Sequence, residues 1–152
     1  HLPDRFVAAK FYGNPALPDT PENQQFVASY LEELTRHVDV VLLNTGHKFD
    51  DHEEMGRLNR GRIHTVDHLM TPATNLDVQT RIIASADAYV GTYGGFSYVS
   101  PMIGTDALTF YSLIVCFRFV RFEGAERVWS WLRDGGCSYG IRHRQGHADW
   151  RR

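Results

Sequence analysis

The chain has 152 residues, of which 43% are hydrophobic and 22% are charged, and its formal net charge is -2. This size and apolar content fit one domain with one core and exclude a disordered polypeptide. The small net charge gives no bulk field for nucleic acid or for an anionic membrane, so an anionic ligand must be held by local geometry.

The sequence shows no sign of export or of membrane insertion. No apolar run reaches the roughly 20 residues that cross a bilayer, and the start has no signal-peptide pattern. Cys116 and Cys137 have neither metal-ligand spacing nor the density of a disulfide scaffold. We therefore predict a cytoplasmic protein without a transmembrane segment. Because the chain opens on His1 and enters a strand by Phe6, we also predict a fragment that lacks an N-terminal portion.

The first elements are a strand and a helix. Phe6–Tyr12 is a mostly apolar run closed by Gly13, which predicts a buried strand with Lys10 near its carboxyl end. Thr20 as N-cap and Pro21 at the first helical position predict a helix that packs one apolar face on the sheet. We therefore expect Lys10 at the edge of the sheet where ligands bind.

Two further strands and a helix follow. Residues 38–44 predict a second strand that ends in a glycine-bearing turn at Gly46, and residues 62–66 predict a third strand. A polar loop over 67–70 leads to a helix over 76–86. The turn and the loop are expected at the same edge of the sheet as Lys10.

The stretch from Ala88–Thr92 onward is the most informative part of the chain. It predicts a buried strand that stops at Gly94 and Gly95 and turns into a short apolar helix near Ser97. The glycines allow positive φ angles and a close ligand, while the helix directs its N–H groups and positive dipole end there. Such a place suits a phosphate. Ala107–Tyr111 then predicts another apolar strand.

This alternation predicts an α/β fold, an open parallel Rossmann-like sheet of about five or six strands with helices on both faces. Ligands of such sheets bind beyond the carboxyl ends of the strands. Residues 1–112 are predicted to form this domain and residues 113–136 a C-terminal helical extension of it. The basic tail over 137–152 is poorly specified and is interpreted as a disordered end rather than a nucleic-acid patch.

No metal site is predicted. The acidic stretch 49–54 shows no ligand set of defined geometry, and its residues 50–54 are interpreted as the cap or first turn of a short helix. His64 and His68 are four residues apart, but on an extended segment this spacing creates no shared face.

Several segments share an order with a known family of enzymes. The segments are 7–12, 40–46, 63–68, 75–79 and 89–95. Their order resembles the C-terminal, nucleotide-sugar-binding half of a bacterial GT-B fold glycosyltransferase, and the resemblance covers about residues 5–112. It implies that the fold is one half of a GT-B fold.

The resemblance implies a glycosyltransferase domain that binds a nucleotide-sugar donor as substrate, with no further cofactor and no metal. It also implies a missing N-terminal acceptor domain as partner, an unknown catalytic base and a fragment that is inactive alone. The donor diphosphate would be bound by Lys10, Gly94, Gly95, Phe96 and Ser97. The base and ribose would be bound by Val66, Asp67, His68, Asn75, Gln79 and Tyr93.

Other functions stay open on the same fold, because a fold does not determine a reaction. One is a sugar-nucleotide epimerase or a pyruvyl transferase-like domain. Another is a non-catalytic module that binds a nucleotide. A third interpretation takes Gly94 and Gly95 as a tight strand-to-helix turn without any ligand.

Overall fold

The structure is a computed structural model that describes residues 1–46, 54–56 and 61–111, together with the backbone of Val115–Phe119. The strands are β1 (Phe6–Tyr12), β2 (Asp39–Leu42), β3 (Glu54–Met55), β4 (Ile63–Thr65), β5 (Ala88–Thr92), β6 (Ala107–Tyr111) and β7 (Val115–Phe119). The helices are α1 (Pro21–Thr35), α2 (Asn75–Ser85) and α3 (Gly95–Met102), and Asp67–Leu69 form a 3-10 helix.

Parallel pairing joins the main strands in the order β4-β2-β1-β5-β6. The first strand is therefore central. The chain builds β2 and β4 on one side of it and then returns to build β5 and β6 on the other side. This is the strand order of a Rossmann-like sheet, and it confirms the predicted α/β fold class.

Two strands depart from the parallel sheet. β7 pairs antiparallel with β6, and β3 pairs antiparallel with the end of β1. The predicted helical extension over 113–136 therefore contains a strand, whose backbone pairs with the edge of β6. Glu54, predicted in a short helix, lies in β3. Residues 50–53, 120–136 and the tail over 137–152 lie outside the described residues.

Helices cover both faces of the sheet. Successive residues of a strand point to opposite faces, so each face presents apolar side chains that pack against a helix. Odd-numbered residues of β1 pack against α1, and the even-numbered Phe6 and Ala8 pack against α2. The core on the α1 face includes Val7, Ala9, Phe11, Val27, Leu31 and Leu34. The core on the other face includes Phe6, Ala8, Tyr89, Ile82 and Ile83, with Phe96 of α3 packed against it. Lys10, also even-numbered, therefore points to the face of α2 and α3.

The helix boundaries follow local chemistry. The prediction for α1 is confirmed, since the Thr20 hydroxyl accepts from Asn23 N–H and Pro21 is the first helical residue. α2 begins at Asn75, one residue before the predicted start, and α3 begins at Gly95 rather than near Ser97. Within 1–46, 54–56 and 61–111, no helix combines the length and apolarity that a bilayer span needs.

Candidate functional site

The order of the strands changes sides between β1 and β5, because β2 and β4 lie on one side of β1 while β5 and β6 lie on the other. The connection after β1 leads to α1 on one face, and the connection after β5 leads to α3 on the other face. In sheets of this kind, connections that diverge in this way leave a crevice outside the carboxyl ends of the two strands, and ligands bind there. We call it the β1–β5 crevice, defined by Lys10, Tyr12, Gly94 and Gly95.

Lys10 is fixed at this crevice by α2. Its Nζ donates to Gln79 Oε1 at 2.6 Å and to the Leu43 carbonyl oxygen at 3.3 Å. It also lies 5.8 Å from the ring centroid of Phe96 on α3. Burial lowers the pKa of Lys10 from its ordinary value, and the Glu54 carboxylate acts in the opposite direction. The ammonium is thus partly desolvated, which strengthens its attraction to an anion.

Gln79 supports this arrangement because its amide is itself oriented. The side chain is buried, and its Nε2 donates to the Asn75 carbonyl oxygen one helical turn earlier at 3.1 Å. The remaining amide oxygen then faces Lys10. The Asn75 side chain is less engaged, since its Nδ2 reaches the Pro72 carbonyl oxygen at 3.5 Å. The structure therefore brings Lys10 and Gln79 together, as the predicted edge required, while Asn75 contributes its backbone.

Gly94 and Gly95 do not adopt the positive φ angles that we expected. The positive φ angles of the described glycines occur at Gly46, Gly56, Gly61 and Gly104, while Gly94 has an extended φ of 173°. Gly94 instead lies against Tyr12, since a Cβ added there would overlap the Tyr12 hydroxyl unless that side chain moved.

Gly95 is the open position of the pair. It is exposed, and nothing lies within 4 Å of a Cβ added there. The first residue of α3 thus faces open space.

Gly94, Gly95, Phe96 and Ser97 were predicted to bind the diphosphate, and the first turn of α3 leaves the N–H groups of two of them without an acceptor in the helix. Gly94 N–H donates to the Ser97 hydroxyl at 2.9 Å, and Ser97 N–H donates to the Gly94 carbonyl oxygen at 2.9 Å. These two donors are satisfied locally. The N–H groups of Gly95 and Phe96 have no intrahelical acceptor, as in the first turn of any helix. The turn contains no acidic side chain, so the positive end of the helix dipole is not neutralised there.

Side chains from β1 and β5 bind the two walls of the crevice together. The Thr92 hydroxyl accepts from Tyr12 N–H at 3.0 Å and donates to the Tyr12 carbonyl oxygen at 2.9 Å. Asn14 Nδ2 donates to the Tyr93 carbonyl oxygen at 3.2 Å. Burial raises the pKa of Tyr12, so its phenol stays neutral beside α3.

A buried phenol points to the same face as Lys10. Tyr89 on β5 is fully buried, and its hydroxyl has no hydrogen-bond partner among the described residues. A Cβ added at Gly91 would lie 2.6 Å from this hydroxyl, and the Tyr89 and Phe96 ring centroids are 6.1 Å apart. Burial raises the pKa of Tyr89, so it is a neutral donor. A buried donor without an acceptor costs roughly 1–3 kcal/mol.

The other glycine turn at this edge already holds an anion of the protein itself. The Glu54 carboxylate accepts from Thr45 N–H at 2.7 Å, from the Thr45 hydroxyl at 3.0 Å and from Gly46 N–H at 3.3 Å. These donors are engaged by Glu54. The turn after β2 is thus built like an anion site, and its occupant is a side chain of β3.

The loop predicted to bind a base bonds two of its own carbonyl oxygens. The Val66 side chain is buried in the core, and its carbonyl oxygen accepts from Leu69 N–H at 2.9 Å. The Asp67 carbonyl oxygen accepts from Met70 N–H at 3.0 Å, and the side chains of Asp67 and His68 are exposed. The 3-10 helix thus engages the carbonyl oxygens of Val66 and Asp67, and binding of a base by this loop stays a prediction. Tyr93 lies on the opposite side of the crevice.

Sequence reasoning missed several residues of this site. Tyr12 was recoverable, since period-2 alternation places it on the same face as Lys10. Glu54 was not, because only the tertiary structure brings β3 to the turn after β2. Among the described residues, no group of three or more His, Cys, Asp and Glu side chains is placed to hold a metal ion.

Comparisons with known proteins give one partial match. No family model matches the chain, and no solved structure matches it. A segment of 105 residues is 29% identical to the 3-isopropylmalate dehydratase large subunit of Prochlorococcus marinus. The matched segment covers 69% of this chain and 20% of that protein. The chain thus spans about a fifth of the length of the curated relative that it matches.

The match corrects the resemblance drawn from the sequence. The relative is a dehydratase subunit and not a glycosyltransferase. The interpretation as half of a GT-B fold glycosyltransferase is therefore wrong. It relied on the order of strands and a glycine turn, and Rossmann-like sheets of many functions share that order.

Proposed function

We propose that this domain binds a nucleotide, and that the diphosphate of the nucleotide occupies the β1–β5 crevice. The observation that carries this proposal is that Lys10 lies beside α3, with its Nζ 5.8 Å from the ring centroid of Phe96 in the first turn of that helix. The Lys10 ammonium is held by Gln79 on one wall, and the first turn of α3 begins at the exposed Gly95 on the other. Neither the turn nor its N-cap supplies a carboxylate of its own.

The chemistry of the crevice suits a phosphate group. The N–H groups of Gly95 and Phe96 and the helix dipole attract negative charge, and Lys10 contributes a full charge beside them. The Tyr12 phenol adjoins Gly94 and is neutral, so it does not repel an anion. A lysine bound to a phosphate contributes a charge-assisted hydrogen bond, which is stronger than a neutral one.

The space above Gly95 supports the same proposal. A glycine in the first turn of a helix is not needed for its conformation, because Gly95 has no positive φ angle. A side chain at this position would extend over the first N–H groups of α3. The absence of a side chain therefore keeps these donors accessible to a ligand.

Transfer of a sugar from such a nucleotide stays a prediction. It followed from the glycosyltransferase resemblance alone, and no residue of the crevice is assigned a catalytic role. Epimerase and pyruvyl transferase chemistry also stay open, and of these reactions sugar transfer and epimerisation of a sugar nucleotide begin with the binding of a nucleotide. Nucleotide binding is therefore the proposal that we test first.

A second candidate ligand comes from the comparison. The relative in Prochlorococcus marinus is named for 3-isopropylmalate, an organic anion. A carboxylate in place of a phosphate is attracted by the same lysine and the same helix end. We therefore include this compound as a competing ligand of the crevice.

The experiment measures the thermal stability of the purified chain with ADP, GDP, UDP, inorganic pyrophosphate or 3-isopropylmalate. A ligand at 100 times its Kd stabilises the folded state by about 2.7 kcal/mol, which raises the Tm. Lys10→Met is expected to raise the Kd of ADP about tenfold to hundredfold, because a charge-assisted hydrogen bond is lost.

The control is Arg36→Met, which removes an exposed cation at the end of α1, paired with Glu33. It should leave the ADP affinity unchanged. A rise in Tm with 3-isopropylmalate and with none of the other compounds would contradict nucleotide binding and favour an organic anion as the ligand. The absence of any shift with all five compounds would contradict an anion site in the crevice.

A further inference from the structure

Three tyrosines lie together beside the β1–β5 crevice. The Tyr93 ring centroid is 5.6 Å from that of Tyr98 and 5.8 Å from that of Tyr111, with interplanar angles of 69° and 81°. Both contacts are edge-to-face, the arrangement that aromatic quadrupoles favour. We call these residues the tyrosine cluster.

The tyrosine cluster is fixed to the elements that form the crevice. Tyr93 directly follows β5, and its N–H donates to the Phe110 carbonyl oxygen at 2.9 Å, which aligns it with the end of β6. Tyr111 is the last residue of β6. Tyr98 lies in α3 three residues after Gly95, which corresponds to about 4.5 Å along the helix axis. The cluster therefore adjoins the helix end proposed for the diphosphate.

The rings are exposed and yet oriented. Tyr98 is 48% exposed and Tyr111 is 44% exposed, so substantial ring surface is accessible on both. The hydroxyl groups of Tyr93 and Tyr98 share a hydrogen bond, which raises the pKa of Tyr98. Rings that are already held by contacts lose little conformational freedom when a planar group stacks on them.

We propose that the tyrosine cluster binds the base of the nucleotide by stacking. This inference rests on the proposed function, since it takes the diphosphate to lie at Gly95. It places the base beside β5 and β6, on the side of the crevice opposite the Val66–His68 loop. Every nucleobase has a π-face, so stacking on tyrosine tolerates different bases.

The exposed apolar residues on the other side give a direct alternative. Leu69 in the 3-10 helix is 50% exposed, and Leu76 at the start of α2 is 63% exposed. Leu69 directly follows the Val66–His68 loop that the resemblance implied for the base. An aliphatic side chain has no π-face, and the carbonyl groups of that loop are already bonded. The tyrosine cluster is therefore the better surface for a base.

Isothermal titration calorimetry with ADP and with inorganic pyrophosphate tests the inference on the full chain. The wild type should bind ADP more tightly than pyrophosphate. Tyr98→Ala is expected to raise the Kd of ADP about tenfold and to leave the Kd of pyrophosphate unchanged, because it removes stacking and not the anion contacts. Tyr98→Phe keeps the ring and should bind ADP within about twofold of the wild type.

Leu76→Ala is the matched control on the opposite side and should bind ADP like the wild type. A loss of ADP affinity in Leu76→Ala but not in Tyr98→Ala would place the base at the loop and overturn the inference. Pyrophosphate binding as tight as ADP binding would also overturn it, while the anion site would stand. Failure of the wild type to bind either compound would refute the proposed function and this inference with it. Thermal melting of each variant without ligand shows whether it is folded.

Discussion

The N-termini of α1 and α3 lie at the same edge of the sheet, yet they are built differently. At α1, the Thr20 hydroxyl accepts from Asn23 N–H, Pro21 has no N–H, and Glu22 places a carboxylate in the first turn. At α3, the N-cap is Gly94 and the first turn contains no acidic residue. Of these two helices, only α3 has no carboxylate near its positive N-terminal end.

The loops before the two helices differ in the same way. In the loop before α1, Asn14 Oδ1 accepts from Ala16 N–H at 2.8 Å and from Leu17 N–H at 2.9 Å, and Leu17 is fully buried. The loop before α3 ends at the exposed Gly95. At the N-terminus of α1, side chains of the protein thus accept hydrogen bonds from the backbone N–H groups. The comparison teaches that one helix end serves stability, whereas the other is available to a ligand.

The largest expected effect is a difference in the free energy of unfolding between substitutions at Gly91 and at Gly95. A Cβ on Gly91 would overlap the main-chain carbonyl oxygen of Lys10, whereas a Cβ on Gly95 meets nothing within 4 Å. Gly91→Ala should lower the free energy of unfolding by about 3 kcal/mol, since the strands must separate. Gly95→Ala should stay within about 0.5 kcal/mol of the wild type. Urea unfolding measures both, and an equal loss in the two variants would show that the α3 end is not open.

A smaller effect on stability is expected from substitutions of the hydroxyl groups at the starts of α1 and α3. Thr20→Ala and Ser97→Ala each remove a hydroxyl that accepts a backbone N–H at a helix start. Each should lower the free energy of unfolding by about 1 kcal/mol. Calorimetry should show weaker ADP binding in Ser97→Ala, whose first turn borders the crevice, and unchanged binding in Thr20→Ala. Weaker binding in Thr20→Ala alone would move the ligand to α1.

The smallest expected effect is a pH dependence that involves Lys10. Because burial lowers its pKa below the ordinary 10.5, the unfolded state binds more protons between the lowered value and 10.5. The Lys10 contribution to stability therefore rises with pH across that window. ADP affinity should change in the opposite direction and fall as the ammonium loses its proton.

Lys10→Arg is the matched variant for this measurement, since an arginine stays protonated throughout. Its ADP affinity, measured by calorimetry from pH 7 to about pH 10, should be flatter than that of the wild type. Parallel curves for the two proteins would show that Lys10 does not hold the anion.

Much of the fold was predictable from local patterns. The apolar runs of β1, β5 and β6 predicted strands with the bounds that the structure has. Thr20 and Pro21 predicted the start of α1. These features depend on near neighbours in sequence, where alternation and capping act. The position of Lys10 near the carboxyl end of β1 also followed from the bounds of that strand.

Other features depend on distant contacts. The antiparallel β7 and the two-residue β3 form because neighbouring strands offer them partners. The contact between the Tyr12 hydroxyl and Gly94 joins residues that are far apart in the chain, so no local pattern shows it. The carbonyl oxygens of Val66 and Asp67 accept hydrogen bonds within the 3-10 helix, which the sequence analysis did not predict.

The sequence by itself determined that alternating strands and helices place Lys10 and the glycine pair at one edge of a parallel sheet, because periodicity and capping are local properties. Only the tertiary structure decided that Glu54 fills the turn at Gly46 while the start of α3 stays uncovered. That difference arises from which side chains reach each turn through space, and residues distant in the chain decide it.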